Sequence, residues 1–236
     1  MPSAPTPTPA PMPVSIPVPV PAPESAPPTE VGWSARRLGS WAALGALAAL
    51  LLGGSLMAVA AAPRPPGVTA GLGLALLHGG PAALAALSVL DMFTVPALHQ
   101  TLRRHGPVLI LVATGCALIG DLLGVTGRLT QLSAVAGAAQ GWPAPQSMVL
   151  DLLQTTLNIA GFLLVSVSFS AFGVLFVRCG ARVLGAVAVA AGVLTAAGQL
   201  PGLAPLFYLA NAAFLAWYAA LFLSFRRPEA PGAQPC

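Results

Sequence analysis

Three acids, Asp91, Asp121 and Asp151, interrupt runs built otherwise from Leu, Val, Ala and Gly. Around the second, the chain reads G-C-A-L-I-G-D-L-L-G-V-T-G, Gly115 to Gly127. A charge at the centre of a bilayer costs about 2.5–3.5 kcal/mol even on the lenient insertion scale, so an acid there needs a partner or a purpose. Two chemistries fit: a hydrogen-bonded clasp between helices, or a site for a proton, a cation or a small ligand. Gln154 and Asn158 follow Asp151 at helical spacing. Spans adjacent in sequence pack side by side, so one of these amides is expected at the level of Asp121, where a neutral acid can donate to the amide oxygen. For Asp91 the available partners near mid-membrane are Asn211 and Thr195. The candidate intramembrane site is therefore Asp91, Asp121, Gln154, Asn158 and Asn211. Asp151 is expected in the outer interface, at a helix N-terminus capped by Ser147.

Other chemistries find no residues. The chain has no Gly-x-Ser-x-Gly, HExxH, Walker or dinucleotide-binding glycine pattern. His78, His99 and His105 lie at the ends of apolar runs, so no facing pair of spans can ligate a haem. Cys116, Cys179 and Cys236 form no CxxC, which leaves neither a disulfide framework nor a zinc site and predicts three reduced thiols. No metal, no cofactor and no enzymatic activity are expected.

Composition sets the environment. Charged residues make up 7% of the 236 and hydrophobic ones 56%, with a mean hydropathy of +0.84. A water-facing surface needs about 25% charged residues, so the solvent for this chain is lipid. The ten basic residues are all Arg, and with the abundance of Ala, Gly and Pro they suggest GC-rich bacterial coding. The net charge of +4 is no nucleic-acid signal, because the arginines come in pairs between apolar runs without interleaved aromatics.

The elements that must position the acids are apolar helices. Residues 1–35 are expected to be a disordered, Pro-rich cytoplasmic tail, since proline fixes φ and removes backbone donors. Residues 36–227 are read as a six-span bundle and 228–236 as a short cytoplasmic C-terminal tail. The spans are placed at about 38–62, 81–98, 107–126, 148–177, 183–198 and 203–225. Residues 68–77 are read as a short interfacial or re-entrant helix, broken from the second span by His78-Gly79-Gly80-Pro81, and 127–146 as a polar outer loop. On these boundaries Asp121 lies about 21 Å into its span from Pro107 and Asp91 about 12 Å from His99, at different depths.

Arginine distribution orients the bundle. With the N-terminus inside, inner segments carry Arg36, Arg37, Arg103, Arg104, Arg178, Arg182, Arg226 and Arg227, and outer ones only Arg64 and Arg128. That bias alternates through all six spans and predicts both termini in the cytoplasm. Trp41, Tyr208, Trp217 and Tyr218 are expected in interfacial belts. Gly120 with Gly124, and Ala188 with Gly192 and Ala196, form small-residue faces for packing within the chain or for a homo-oligomer.

Two stretches resemble bacterial six-helix integral membrane proteins known only as a domain of unknown function. V-P-A-L-H-Q-T-L-R-R-H-G-P-V-L-I-L-V (Val95–Val112) resembles that family's end of span two, basic turn and start of span three. S-F-S-A-F-G-V-L-F-V-R-C-G-A-R-V-L-G-A (Ser168–Ala186) resembles its Phe-rich end of span four with an Arg turn. Asp121 then falls near a position where the family often has an acid. The resemblance covers about residues 38–227. The chain departs from it in lacking the Pro-Arg pair after the second turn, where Ala181-Arg182 stands, and in its Pro-rich tail. It implies a six-helix fold and brings no established activity.

The sequence thus predicts an all-α, polytopic bundle in an inner membrane, with the lipid bilayer as its partner. Its expected role is non-enzymatic, accessory or stress-related. The rival is a small-solute or proton-coupled carrier using Asp91 and Asp121. No internal repeat of the kind common in carriers is visible.

Overall fold

The computed structural model describes residues 30–61, 70–203 and 205–226. Residues 1–29 and 228–236 of the expected tails, and Arg64 and Arg227, lie outside the described residues. Within the described residues the chain is helical with no strand. In order come α1 (Glu30–Ala61), α2 (Ala70–Leu102), α3 (Pro107–Ala139), α4 (Ala144–Arg178), α5 (Arg182–Gly198) and α6 (Pro205–Arg226), with a 3-10 turn, Arg103–His105, between α2 and α3. Helix is the form lipid demands, because it satisfies every backbone donor within its own segment. Five helices are long and apolar enough to cross a membrane, and α5 is a shorter apolar helix of 17 residues. At about 25 Å it falls short of a hydrocarbon core of about 30 Å.

Each helix packs on its neighbours in sequence, and α6 returns to α1, closing a ring of six. Two of the connections are tight because a glycine in the left-handed region ends the preceding helix. At the end of α3, Gly141 has φ +75°, with Trp142 N–H donating to Gly137 O at 3.0 Å and Gly141 N–H to Ala138 O at 3.1 Å. At the end of α4, Gly180 has φ +94° and Ala181 N–H reaches Phe176 O at 2.9 Å. Both are Schellman caps, which turn orphan carbonyls into bonded ones.

Several expected boundaries move. His78-Gly79-Gly80-Pro81 does not break the second span: α2 runs through it from Ala70, with Pro81 and Pro96 inside the helix. The two glycines are packing positions, since a Cβ at Gly79 would stand 3.0 Å from Leu56 Cδ1 and one at Gly80 2.8 Å from Met57 Sδ. Nor is 127–146 mostly loop, for α3 continues to Ala139. Its polar side chains serve the helix itself: the hydroxyls of Thr126, Thr130 and Ser133 donate to Leu122, Thr126 and Leu129 carbonyls at 2.8–3.0 Å. α1 begins at Glu30, ahead of the expected boundary at 36. Ser147 does not cap α4, which follows Pro143; its hydroxyl donates to Ala144 O at 2.9 Å.

Small residues set the seams. A Cβ on Gly120 would lie 3.0 Å from Gly161 O, and one on Gly173 would lie 2.7 Å from Gly185 O. Gly192 approaches Ser166 O about as closely, and Ala188 is fully buried. Gly120, Ala188 and Gly192 of those faces therefore pack within the chain. The ring's interior is filled by aromatics of α4 and α6: Phe169 meets Phe214 edge-on at 4.7 Å and Trp217 at 5.4 Å, and Phe176 meets Trp217 at 5.4 Å. Trp217 and Tyr218 are thus core residues rather than interfacial ones, whereas Trp41 (60% exposed) and Tyr208 (77% exposed) remain on the outside.

The antiparallel ring gathers the N-terminal part of α1, the α2–α3 and α4–α5 turns and the end of α6 at one end. Gly39 lies against Ala97 and Phe225, Gly106 against Leu175 and Arg178, and Arg226 stacks over Trp41 at 5.2 Å. Arg36, Arg37, Arg103, Arg104, Arg178, Arg182 and Arg226 all belong to that end. The opposite end holds Arg128, bonded to Gln131 at 3.2 Å, and exposed Asp151. Packing is denser at the arginine-rich end: α4 buries no residue before Gly161 and nine from Gly161 to Phe176.

Candidate functional site

The α2–α3 hairpin fixes the register of the two deep acids. Its turn closes at Gly106, and contacts on either side run in step. His99 Nδ1 is 3.1 Å from Thr114 Oγ1, and further up a Cβ on Gly124 would be 3.0 Å from Ser88 Oγ. Asp91 and Asp121 fall between these contacts, each fifteen residues from Gly106. They therefore share one level, about 22 Å from the turn. The unequal depths expected from the sequence are corrected, because α2 runs on to Leu102 instead of ending at Leu98.

Both acids point inward. Asp91 is 7% exposed and Asp121 5%. Thr94, one turn along α2 and fully buried, brings its Oγ1 to 2.7 Å from Asp91 Oδ1 and 2.8 Å from Asp91 O. A hydroxyl has one proton for these two contacts. The hydroxyl donates toward both oxygens, so Asp91 Oδ1 is an acceptor here. Tyr218 of α6, 3% exposed, sets its hydroxyl beside Asp91.

Asp121 is less well served. Its Oδ2 is buried and has no hydrogen-bond partner. The expected clasp with α4 is not made, because the α3–α4 turn lies at Gln140–Pro143 and sets a different register. Gly161 and Val165 face Gly120, beside Asp121, while the Asn158 carboxamide packs on Gly127. Asn158 thus sits six residues beyond Asp121 along α3, about 9 Å away. Gln154 lies one turn further out, and Asn211 stands on α6 seven residues from Tyr218. All three amides are half-buried and outside the acid cluster. Thr195 is occupied by its own helix, donating to Ala191 O at 2.7 Å.

No family model, curated protein or solved structure matches this chain. The chemistry of the site rests on its own geometry. Two residues of the cluster were not anticipated. Thr94 carries a signal, since it lies three residues after Asp91 and so on the same helix face. Tyr218 carries none, because only the closing contact of α6 on the ring brings it there.

Oxygen is the only donor element in the cluster. Among the described residues no set of three or more His, Cys, Asp or Glu could hold a metal ion. Cys116 is a free thiol on α3, and Cys236 lies outside the described residues. Two further hydroxyls, Ser40 of α1 and Ser168 of α4, are buried without partners, both nearer the arginine-rich end than the acids.

Proposed function

We propose that this is a multi-pass protein of a bacterial inner membrane, with both termini in the cytoplasm, that works as a proton-coupled carrier of a small solute. Of the two roles open from the sequence, accessory subunit and carrier, the geometry favours the carrier. One observation carries that reading: two buried carboxyls stand at one level of the α2–α3 hairpin, deep in the bundle, with no basic residue at that level among the described residues. A purely structural clasp would bond its acid fully, and Asp121 Oδ2 is left unbonded.

The physical logic is that of charge in lipid. Two like charges at one level of a bilayer repel each other and lose hydration together, so the pair gains by holding protons. Gain and loss of a proton would then change the packing of α2 against α3 and α6, which is what coupling to a solute requires. No nucleophile, metal set or cofactor motif enters this reading, which has the protein act without enzymatic chemistry. The arginine-rich end would face the cytoplasm under the positive-inside rule.

Infrared spectra of the purified protein test the site. Wild type should show a carboxylic C=O band that changes between mildly acidic and mildly alkaline buffer. Asp91→Asn and Asp121→Asn should each alter it. Identical spectra for all three proteins would rule the pair out as a proton site.

A further inference from the structure

Arg226, the last residue of α6, is exposed at the arginine-rich end of the ring. Its guanidinium lies 4.7 Å from the centre of the Phe222 ring, one turn back on α6, and 5.2 Å from that of Trp41 on α1. Among the described residues these two rings are its only partners. Stacking occupies the faces of a guanidinium and leaves the N–H groups at its edge for an acceptor, in a fork that fits phosphate oxygens. The surface below the guanidinium is apolar. Leu223 lies three residues deeper on α6, and Ala48 and Leu52 lie seven and eleven residues deeper than Trp41 on α1, close to whole turns. All three are exposed, Leu223 at 57% and Leu52 at 56%, and Trp41 itself is 60% exposed.

From the end of this seam inward, the order is cation, amphipathic ring and aliphatic surface. A phospholipid presents phosphate, glycerol and acyl chain in the same order. The charge of this end selects among headgroups. Arg103, Arg104, Arg178 and Arg182 are exposed here along with Arg226. Between residues 35 and 226 the only acids are Asp91, Asp121 and Asp151. The first two lie about 22 Å from the Gly106 turn, and the third belongs to the opposite end. A headgroup with an amine would bring a further positive charge into this field, whereas one without an amine keeps its phosphate charge uncancelled. We infer that the Arg226–Trp41–Phe222 cluster on the α1–α6 seam binds an anionic phospholipid of the phosphatidylglycerol type, with its phosphate on Arg226 and an acyl chain along Leu223 and Leu52. Such a site needs only a membrane around the bundle, and stands whether or not the acid pair carries protons.

The test follows melting of the full-length protein in an uncharged detergent. The additives are dioleoyl phosphatidylglycerol, dioleoyl phosphatidylethanolamine, or glycerophosphoglycerol, which is the first headgroup without its acyl chains. Phosphatidylglycerol should raise the melting temperature by about 2–4 °C more than phosphatidylethanolamine does. Arg226→Gln and Arg226→Lys should each lose most of that shift, since Gln has no charge and Lys no planar fork to stack on the two rings. Arg104→Gln, which removes a charge from the same end but off the seam, should keep it. Should the Arg226 variants fail to fold, Trp41→Ala at its exposed position removes a stacking partner and should lose the shift as well. Equal shifts with both lipids, or full retention in Arg226→Lys, would overturn the site. A loss in Arg104→Gln as large as in Arg226→Gln would also overturn it, leaving only a diffuse field of the whole end. A shift with glycerophosphoglycerol as large as with the lipid would overturn the lipid assignment in favour of a free anion.

Discussion

Asp91 and Asp121 are buried at one level of the α2–α3 hairpin, each fifteen residues from Gly106. The symmetry follows from an antiparallel helix hairpin, in which residues equally distant from the turn stand at the same height. Tyr218 joins them from α6, the last helix of the ring. Three segments far apart in the chain therefore share one polar site in an otherwise apolar interior.

The unpartnered Asp121 Oδ2 separates a site from a clasp. Asp121→Asn should change stability by no more than about 0.5 kcal/mol, while removing the pH dependence of melting that the acid contributes. Asp121→Leu should not show the loss of about 0.6–1.7 kcal/mol that accompanies a broken hydrogen bond between membrane helices. Melting curves of wild type and both variants across a range of pH decide it. A marked loss in Leu alone would restore a clasp.

Gly173 is expected to admit no side chain. A Cβ there would stand 2.6 Å from Val189 Cγ2 and 2.7 Å from Gly185 O. Gly173→Val should therefore force α4 from α5 and cost about 1–3 kcal/mol. A methyl at Gly115 would meet nothing within 4 Å, so Gly115→Ala should be neutral or stabilising by roughly 0.5–1 kcal/mol. Equal effects at the two positions, read from unfolding in detergent, would mean that the α4–α5 seam is looser than its glycine contacts require.

Trp217 joins Phe169 and Phe176 in the ring interior and is 1% exposed. Trp217→Ala should cost about 3–5 kcal/mol, measured by unfolding in detergent. Trp41 is 60% exposed, with Arg226 stacked over its ring; Trp41→Ala should cost less than about 1 kcal/mol. The reverse order would place the core elsewhere.

Threading has a direct assay. A reporter fused after Cys236 should report cytoplasm, and one inserted in the Gln140–Pro143 turn should report the opposite side. That turn belongs to the end with Arg128, away from the seven arginines of the other face. Opposite signals would invert the bundle and the direction of any coupled proton.

Composition and hydropathy carried the helical, membrane-embedded character of the chain, because a residue's preference for lipid is its own property and needs no partner. The acids could likewise be singled out in the sequence, since a carboxylate among Leu, Val and Gly is conspicuous wherever the chain folds. Boundaries were less legible. Thr126, Thr130 and Ser133 look like loop residues until their hydroxyls are seen to bond their own helix, and Gly79-Gly80 looks like a break until α1 is packed against it.

Which polar groups meet was a matter for tertiary structure alone. Gln154 and Asn158 share a helical stripe with Asp151, and the stripe pointed to a clasp with Asp121. The short Gln140–Pro143 turn instead sets Gly161 and Val165 beside Gly120, leaving the Asp121 Oδ2 atom without a partner. Periodicity gives the face of one helix, but the pairing of two depends on where the turn closes. The meeting of three depends on how the ring closes as well, and α6 on α1 is the contact that delivers Tyr218 to the acids.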